Sequence, residues 1–191
     1  MREPYITVEP TLEPLTLAEA KLHCRIEVAD TDRDALVTAA IKVARQRAEH
    51  ITGRAIPLQT WQILLDCFPD AIQLPRSPVS SLTSVRYQDS AGAWQTLSNT
   101  TYKADLKRLV PYIVPAYTYT WPDVYPEINA VEVTWVAGYA DGAVPESIKQ
   151  YMRLVIADFM EHAKATNDVA VELKPHPFYE RLLDPYTLLR V

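Results

Sequence analysis

Apolar positions along this chain change period twice. The first stretch repeats every three to four residues, which predicts helices. Leu17, Ala20 and Cys24 share one face of a short helix. Thr16 and Glu19 stand at capping-box spacing before it, with Thr16 as N-cap. A second helix runs from the acidic Asp30-Thr31-Asp32-Arg33-Asp34 to Gly53, where a C-terminal cap is expected. It carries two apolar stripes. Leu36, Ala40, Val43 and Arg47 form one; Val37, Ile41, Ala44, Ala48 and Ile51 form the other. A surface that wide predicts contacts on two sides.

From Trp61 the period drops to two. Trp61, Ile63, Leu65 and Cys67 alternate with Gln62, Leu64 and Asp66, as a strand requires. Ile72 to Leu74 is a short strand stopped by Pro75. Ser84–Gln88 and Ala93–Leu97 flank Asp89-Ser90-Ala91-Gly92 and predict a hairpin. Tyr102–Asp105 and Leu109–Val114 follow, then a loop over Thr120–Pro126. Val131, Val133 and Trp135 form the face of the last strand. The helical period returns at Pro145, suited to a first turn where its missing N–H costs nothing. Ile148, Tyr151, Met152, Val155, Ile156 and Phe159 give that helix its apolar face. Asn167–Lys174 reads as a loop, Pro177–Leu183 as a last short helix, and Tyr186, Leu188 and Leu189 as an apolar tail.

The predicted fold class is α+β: a helical bundle interrupted by a small antiparallel β-rich insert. Its parts are an N-terminal helical part over 1–55, the insert over 56–139, and a C-terminal helical part with its tail over 140–191, forming one compact unit. A chain of this length buries roughly 70% of its unfolded surface and needs no staples. Cys24 and Cys67 are the only cysteines, and both are expected to be buried free thiols in a reducing compartment. The N-terminus shows no signal peptide, and no apolar run reaches the ~18 residues of a membrane span. A soluble protein made in the cytoplasm is expected.

Lys and Arg number 19 against 24 Asp and Glu, a net charge of −5. That disfavours a general nucleic-acid binder and suits a surface that DNA passes without sticking. Glycine is scarce, at 4 residues, leaving no material for a phosphate loop. No nucleophile elbow or HExxH occurs. Asp30, Asp32 and Asp34 match the start of a calcium loop, but Ala35 and Ile41 stand where Gly and Glu are needed. Glu161-His162 has no second cluster beside it, and His23, His50 and His176 are scattered. Lys42, Arg45, Arg47 and Arg54 make the end of the second helix basic; the helix dipole accounts for them, with phosphate contact as the alternative. Trp121 and Tyr125 are expected to pack on a neighbour or on the chain's own sheet. The reading is therefore no enzyme, no cofactor and no metal.

The ordered phrases Leu15-Thr16-Leu17-Ala18-Glu19-Ala20-Lys21, Ala48-Glu49-His50-Ile51-Thr52-Gly53-Arg54-Ala55, Leu74-Pro75-Arg76-Ser77-Pro78-Val79 and Val136-Ala137-Gly138-Tyr139 with Val144-Pro145-Glu146-Ser147-Ile148 resemble one family. It is that of the head–tail connector (head-completion or adaptor) proteins of long-tailed bacteriophages and gene-transfer agents. The resemblance implies a structural virion protein at the head–tail junction. Its members form a homo-oligomeric ring, expected to be dodecameric, between the portal protein and a tail-side stopper or terminator. DNA passes through the ring without sequence-specific binding, and no membrane is involved. Val37, Ile41 and Ala48 are the expected ring interface. Tyr186, Leu188 and Leu189 are expected to dock on the portal or a neighbour, and Trp121 and Tyr125 to form a loop contact. The alternatives are a tail-terminator or stopper ring, and a carbohydrate- or nucleic-acid-binding module using Trp94, Trp121 and Trp135.

Overall fold

The computed structural model describes residues 3–162 and 177–188. The chain is α+β, and its described residues form two compact units. One lies within Met1–Thr11 and Pro57–Tyr139, the other within Leu12–Ile56 and Ala140–Val191.

The first unit holds eight strands. They are β1 (Tyr5–Val8), β2 (Gln59–Leu65), β3 (Ile72–Gln73), β4 (Val79–Gln88), β5 (Trp94–Thr96), β6 (Tyr102–Asp105), β7 (Tyr112–Pro115) and β8 (Val131–Ala137). The larger sheet has the order β1-β2-β8-β4-β5, the smaller β3-β7-β6, and every pairing is antiparallel. The centre of the larger sheet is read directly from alternation. Trp61 and Ile63 of β2 lie opposite Trp135 and Val133 of β8, and all four are buried. Ile72, Leu74 and Ile113 are buried in the smaller sheet and its flank.

Two strands depart from expectation for physical reasons. β4 begins at Val79, five residues before the predicted start. Register shifts fall between Val79 and Ser81 and between Leu82 and Ser84. Each adds a residue to this strand, so its apolar positions Val79, Leu82 and Val85 recur every third residue and hide the strand period. β1 is an edge strand whose residues are mostly exposed, so it carries no alternation to read. The predicted β-hairpin is closed by Asp89, whose carboxylate accepts from the N–H groups of Ala91 and Ala93 and from Gln95 Nε2. Those bonds hold its pKa below the ordinary aspartate value.

The second unit holds α1 (Leu17–His23), α2 (Asp34–Thr52), α3 (Glu146–His162) and the short α4 (Pro177–Glu180), followed by a 3-10 turn over Arg181–Tyr186. The capping box of α1 forms as its spacing predicts: Thr16 Oγ1 accepts from Glu19 N–H, and Glu19 accepts from Thr16 N–H. Gly53 closes α2 in the left-handed region, at φ 70°. α2 packs on α3, and α1 packs on both. Ala40, Ala44 and Ala48 form a buried line of small residues along α2, while Ile148, Tyr151, Met152, Ile156 and Met160 form the buried face of α3.

The cysteines correct the sequence reading. Both are free, but Cys67 is exposed and Cys24 only half-buried. Cys67 lies two residues beyond the end of β2, where alternation no longer assigns a face.

Candidate functional site

Two ionic clusters that resemble sites in the sequence turn out to build the helical unit. Lys21 is 2% exposed. Its ammonium donates to the carbonyls of Val28 (3.1 Å) and Asp30 (2.7 Å) and pairs with the Asp34 carboxylate. The side chain thus ties the α1–α2 connection to the first turn of α2. Asp30 Oδ1 accepts from Asp32 N–H within the same connection. The acidic run resembling a calcium loop is organised around this lysine. Among the described residues, no group of three or more His, Cys, Asp or Glu side chains is placed to hold a metal ion.

The second cluster centres on Arg45, which is 3% exposed. Its guanidinium donates to Glu13 at 2.9 Å and to Glu49 at 3.0 Å. Glu49 Oε1 accepts from Ile56 N–H at 3.0 Å. The four basic residues of α2's end therefore form no shared patch. Arg45 is internal, Arg54 donates to the carbonyl of Tyr186, Arg47 pairs with Glu180 at 3.5 Å, and Lys42 is exposed.

Val37, Ile41 and Ala48 are 0%, 3% and 0% exposed. They are core residues of their own unit, which corrects their expected place on a ring interface. A side chain already buried on α1 and α3 has no surface left for a neighbour. The other half of the doubly apolar helix is the exposed one. Ala35, Leu36, Ala39, Lys42, Val43 and His50 all face solvent.

The tail is tied to its own chain as far as it is described. Leu188 N–H donates to the carbonyl of Thr52 at 2.8 Å, and Leu188 lies against Gly53. Tyr186 and Leu188 are half-buried there; Leu189 lies outside the described residues, as do His176 and the predicted loop Asn167–Lys174.

Trp121 packs on its own unit. Its ring stacks on Phe68 with centroids 4.7 Å apart and an interplanar angle of 8°, and Phe68 in turn lies 5.9 Å from Tyr87. Tyr125 N–H donates to Gln88, and its side chain is 37% exposed. More exposed still are Tyr117 (99%) and Tyr119 (50%), which sequence reading missed. Their alternation in Tyr117-Thr118-Tyr119-Thr120-Trp121 was the available signal. Trp135 is fully buried, and Trp94 lies beneath the Arg86 guanidinium, so the three tryptophans do not make the exposed groove of a sugar- or base-binding module.

A cleft of about 320 Å³ in the helical unit is lined by His23, Cys24, Arg25, Arg33 and Glu161, among others. Burial and the Glu161 charge push the Cys24 thiol up from its ordinary pKa, so it stays protonated and is a poor nucleophile near neutrality.

A family model described as "Phage gp6-like head-tail connector protein" matches residues 14–113. No curated protein matches the chain. Among solved structures, a chain of the neck of an empty GTA particle computed with C6 symmetry superposes with a TM-score of 0.79 at 23% identity, covering 100% of this chain and 97% of that one. A chain from the virion of a native gene transfer agent (GTA) particle gives 0.74 at 22% identity, over 97% of each chain. One from the neck of a native GTA particle computed with C12 symmetry gives 0.73 at 21%, again over 97% of each.

Proposed function

The chain belongs to the phage gp6-like head-tail connector protein family, and from that premise we propose that it closes a homo-oligomeric ring, of twelve copies, beneath a portal. In this reading the ring hands DNA from head to tail through a central channel and meets a stopper or terminator protein on its far side. The family match, across more than half the chain, carries the connector role. The ring is supported by the C6 and C12 symmetry of the necks that hold similarly folded chains. The helices of the second unit act as the bundle that carries ring contacts. The aromatic loop from Tyr117 to Tyr125 is placed against other neck components. The role is structural, and no reaction is assigned to the chain.

Subunit counting by cryo-electron microscopy tests this reading on particles assembled with and without the chain. The expected result is twelve copies at the head–tail junction, and filled heads lacking tails when the chain is withheld. A single copy per particle, or normal tailed particles without the chain, would overturn it.

A further inference from the structure

Three loops close one end of the β-rich unit: 66–71 after β2, 89–93 between β4 and β5, and 117–129 before β8. They are fastened together there. Trp121 stacks on Phe68, Asn129 N–H donates to Asp66 at 2.8 Å, and Tyr125 N–H donates to the carbonyl of Gln88 at 3.0 Å. The opposite end of the unit is the one where Tyr139 bridges back to Pro57. The third loop puts Tyr117, Tyr119, Tyr125 and Ile128 (70% exposed) into solvent. A single exposed apolar side chain is ordinary, but a cluster of them marks a contact surface. Tyrosine in particular is enriched at protein–protein interfaces, because its ring covers much area at a small entropy cost. The charge at this end has one sign. The three loops carry Asp66, Asp70, Asp89, Asp123 and Glu127, and no Lys or Arg. Asp70, Asp123 and Glu127 are exposed.

Resting on the ring reading above, we propose that this end binds a neck protein other than this chain, through a surface that is apolar at its centre and rimmed by Lys and Arg. The tyrosines and Ile128 supply the apolar centre. The carboxylates of Asp70, Asp123 and Glu127 attract the partner's cations, which speeds encounter and fixes orientation. DNA is the poorer occupant, because these carboxylates repel phosphate. A second copy offering the same end would set like charges against one another. The partner is therefore a different polypeptide, of opposite charge where it touches.

Photocrosslinking in purified tailed particles tests the contact. A chain carrying Tyr117→p-benzoylphenylalanine is built into particles and irradiated, and the adduct is read by mass spectrometry. The expected adduct joins Tyr117's position to a Lys- or Arg-containing peptide of another particle protein. An adduct with a second copy of this chain, an adduct with DNA, or no adduct overturns the proposal. Charge reversal is the second arm. A chain combining Asp70→Lys, Asp123→Lys and Glu127→Lys is expected to keep its melting temperature and its ring copy number. Heads bearing it are expected to gain tails at least about tenfold less often. Tyr117→Ser, at a side chain that is 99% exposed, is expected to lower tailing in the same direction, and it decides the matter if the triple variant melts early. Tailing at the wild-type level, or rings that no longer form at an unchanged melting temperature, overturns the proposed contact. A normal wild-type ring then leaves the ring reading standing, whereas heads on which the wild-type chain forms no ring overturn both.

Discussion

Arg45 lies on the buried side of a helix, held between two carboxylates. Its neighbours give it a reason to be there: Glu13 precedes α1, Glu49 lies one turn along α2, and Glu49 also accepts from Ile56 N–H. The Arg45–Glu49 pair thus fastens three separate parts of the helical unit. Replacing it by alanine leaves Glu13 and Glu49 facing each other with the cation gone. Breaking a buried pair in this way costs on the order of 3 kcal/mol, a fall in Tm of about 6–12 °C for a chain of this size. Thermal melts of Arg45→Ala check this. A double variant, Arg45→Met with Glu49→Gln, is expected to lose less than the sum of its two single changes. A melting temperature within 2 °C of wild type for Arg45→Ala would show that the cluster contributes little. Lys21 follows the same logic with carbonyl groups as its main partners, and neither residue is available to a ligand.

Among the elements, the end of β8 is tightly constrained. Gly138 has φ 121°, and a Cβ placed on it would lie 2.0 Å from the carbonyl oxygen of Pro57. Its N–H donates to Pro78 at 2.8 Å, and the next residue, Tyr139, bridges back to Pro57. Backbone meets backbone here, so no side-chain rearrangement relieves a substitution. Gly138→Ala is expected to cost on the order of 3 kcal/mol or more, through strain and through displacement of the strand end. Gly92 provides the control. It too has positive φ, but nothing lies within 4 Å of its Cβ position. Gly92→Ala is expected to cost only about 1–2 kcal/mol, from backbone conformation alone. Denaturant melts of the two variants compare them directly, and equal losses would refute the steric account.

For the molecule as a whole, the tail decides between self-packing and capture by a partner. The hydrogen bond from Leu188 to Thr52 and the one from Arg54 to Tyr186 join it to the end of α2. Ending the chain after Asp184 is therefore expected to destabilise the isolated protein by about 1–3 kcal/mol, at roughly 1 kcal/mol per net hydrogen bond plus partial burial of Leu188. Calorimetry on the truncated chain reads this out. An unchanged Tm together with lost head completion would instead assign the tail to a partner.

Sequence alone determined the α+β class, the start of α1, the end of α2, the central strands of the larger sheet and the absence of recognisable catalytic motifs. Each of these follows from local rules: Thr16 and Glu19 satisfy orphan N–H groups, Gly53 takes the left-handed conformation, and alternation at β2 and β8 sorts side chains between faces. The phrase containing Gly138 was also legible as a signature, though its steric reason was not. Tertiary structure alone decided which half of α2 is core. Both stripes are apolar, and only the positions of α1 and α3 choose Val37, Ile41 and Ala48 over Leu36 and Val43. It also decided that β1 joins a strand more than fifty residues away, that bulges carry β4 back to Val79, and that Arg45 and Lys21 lie inside. Periodicity reports that a face is apolar. What covers that face depends on contacts distant in sequence, and those exist only once the chain has folded.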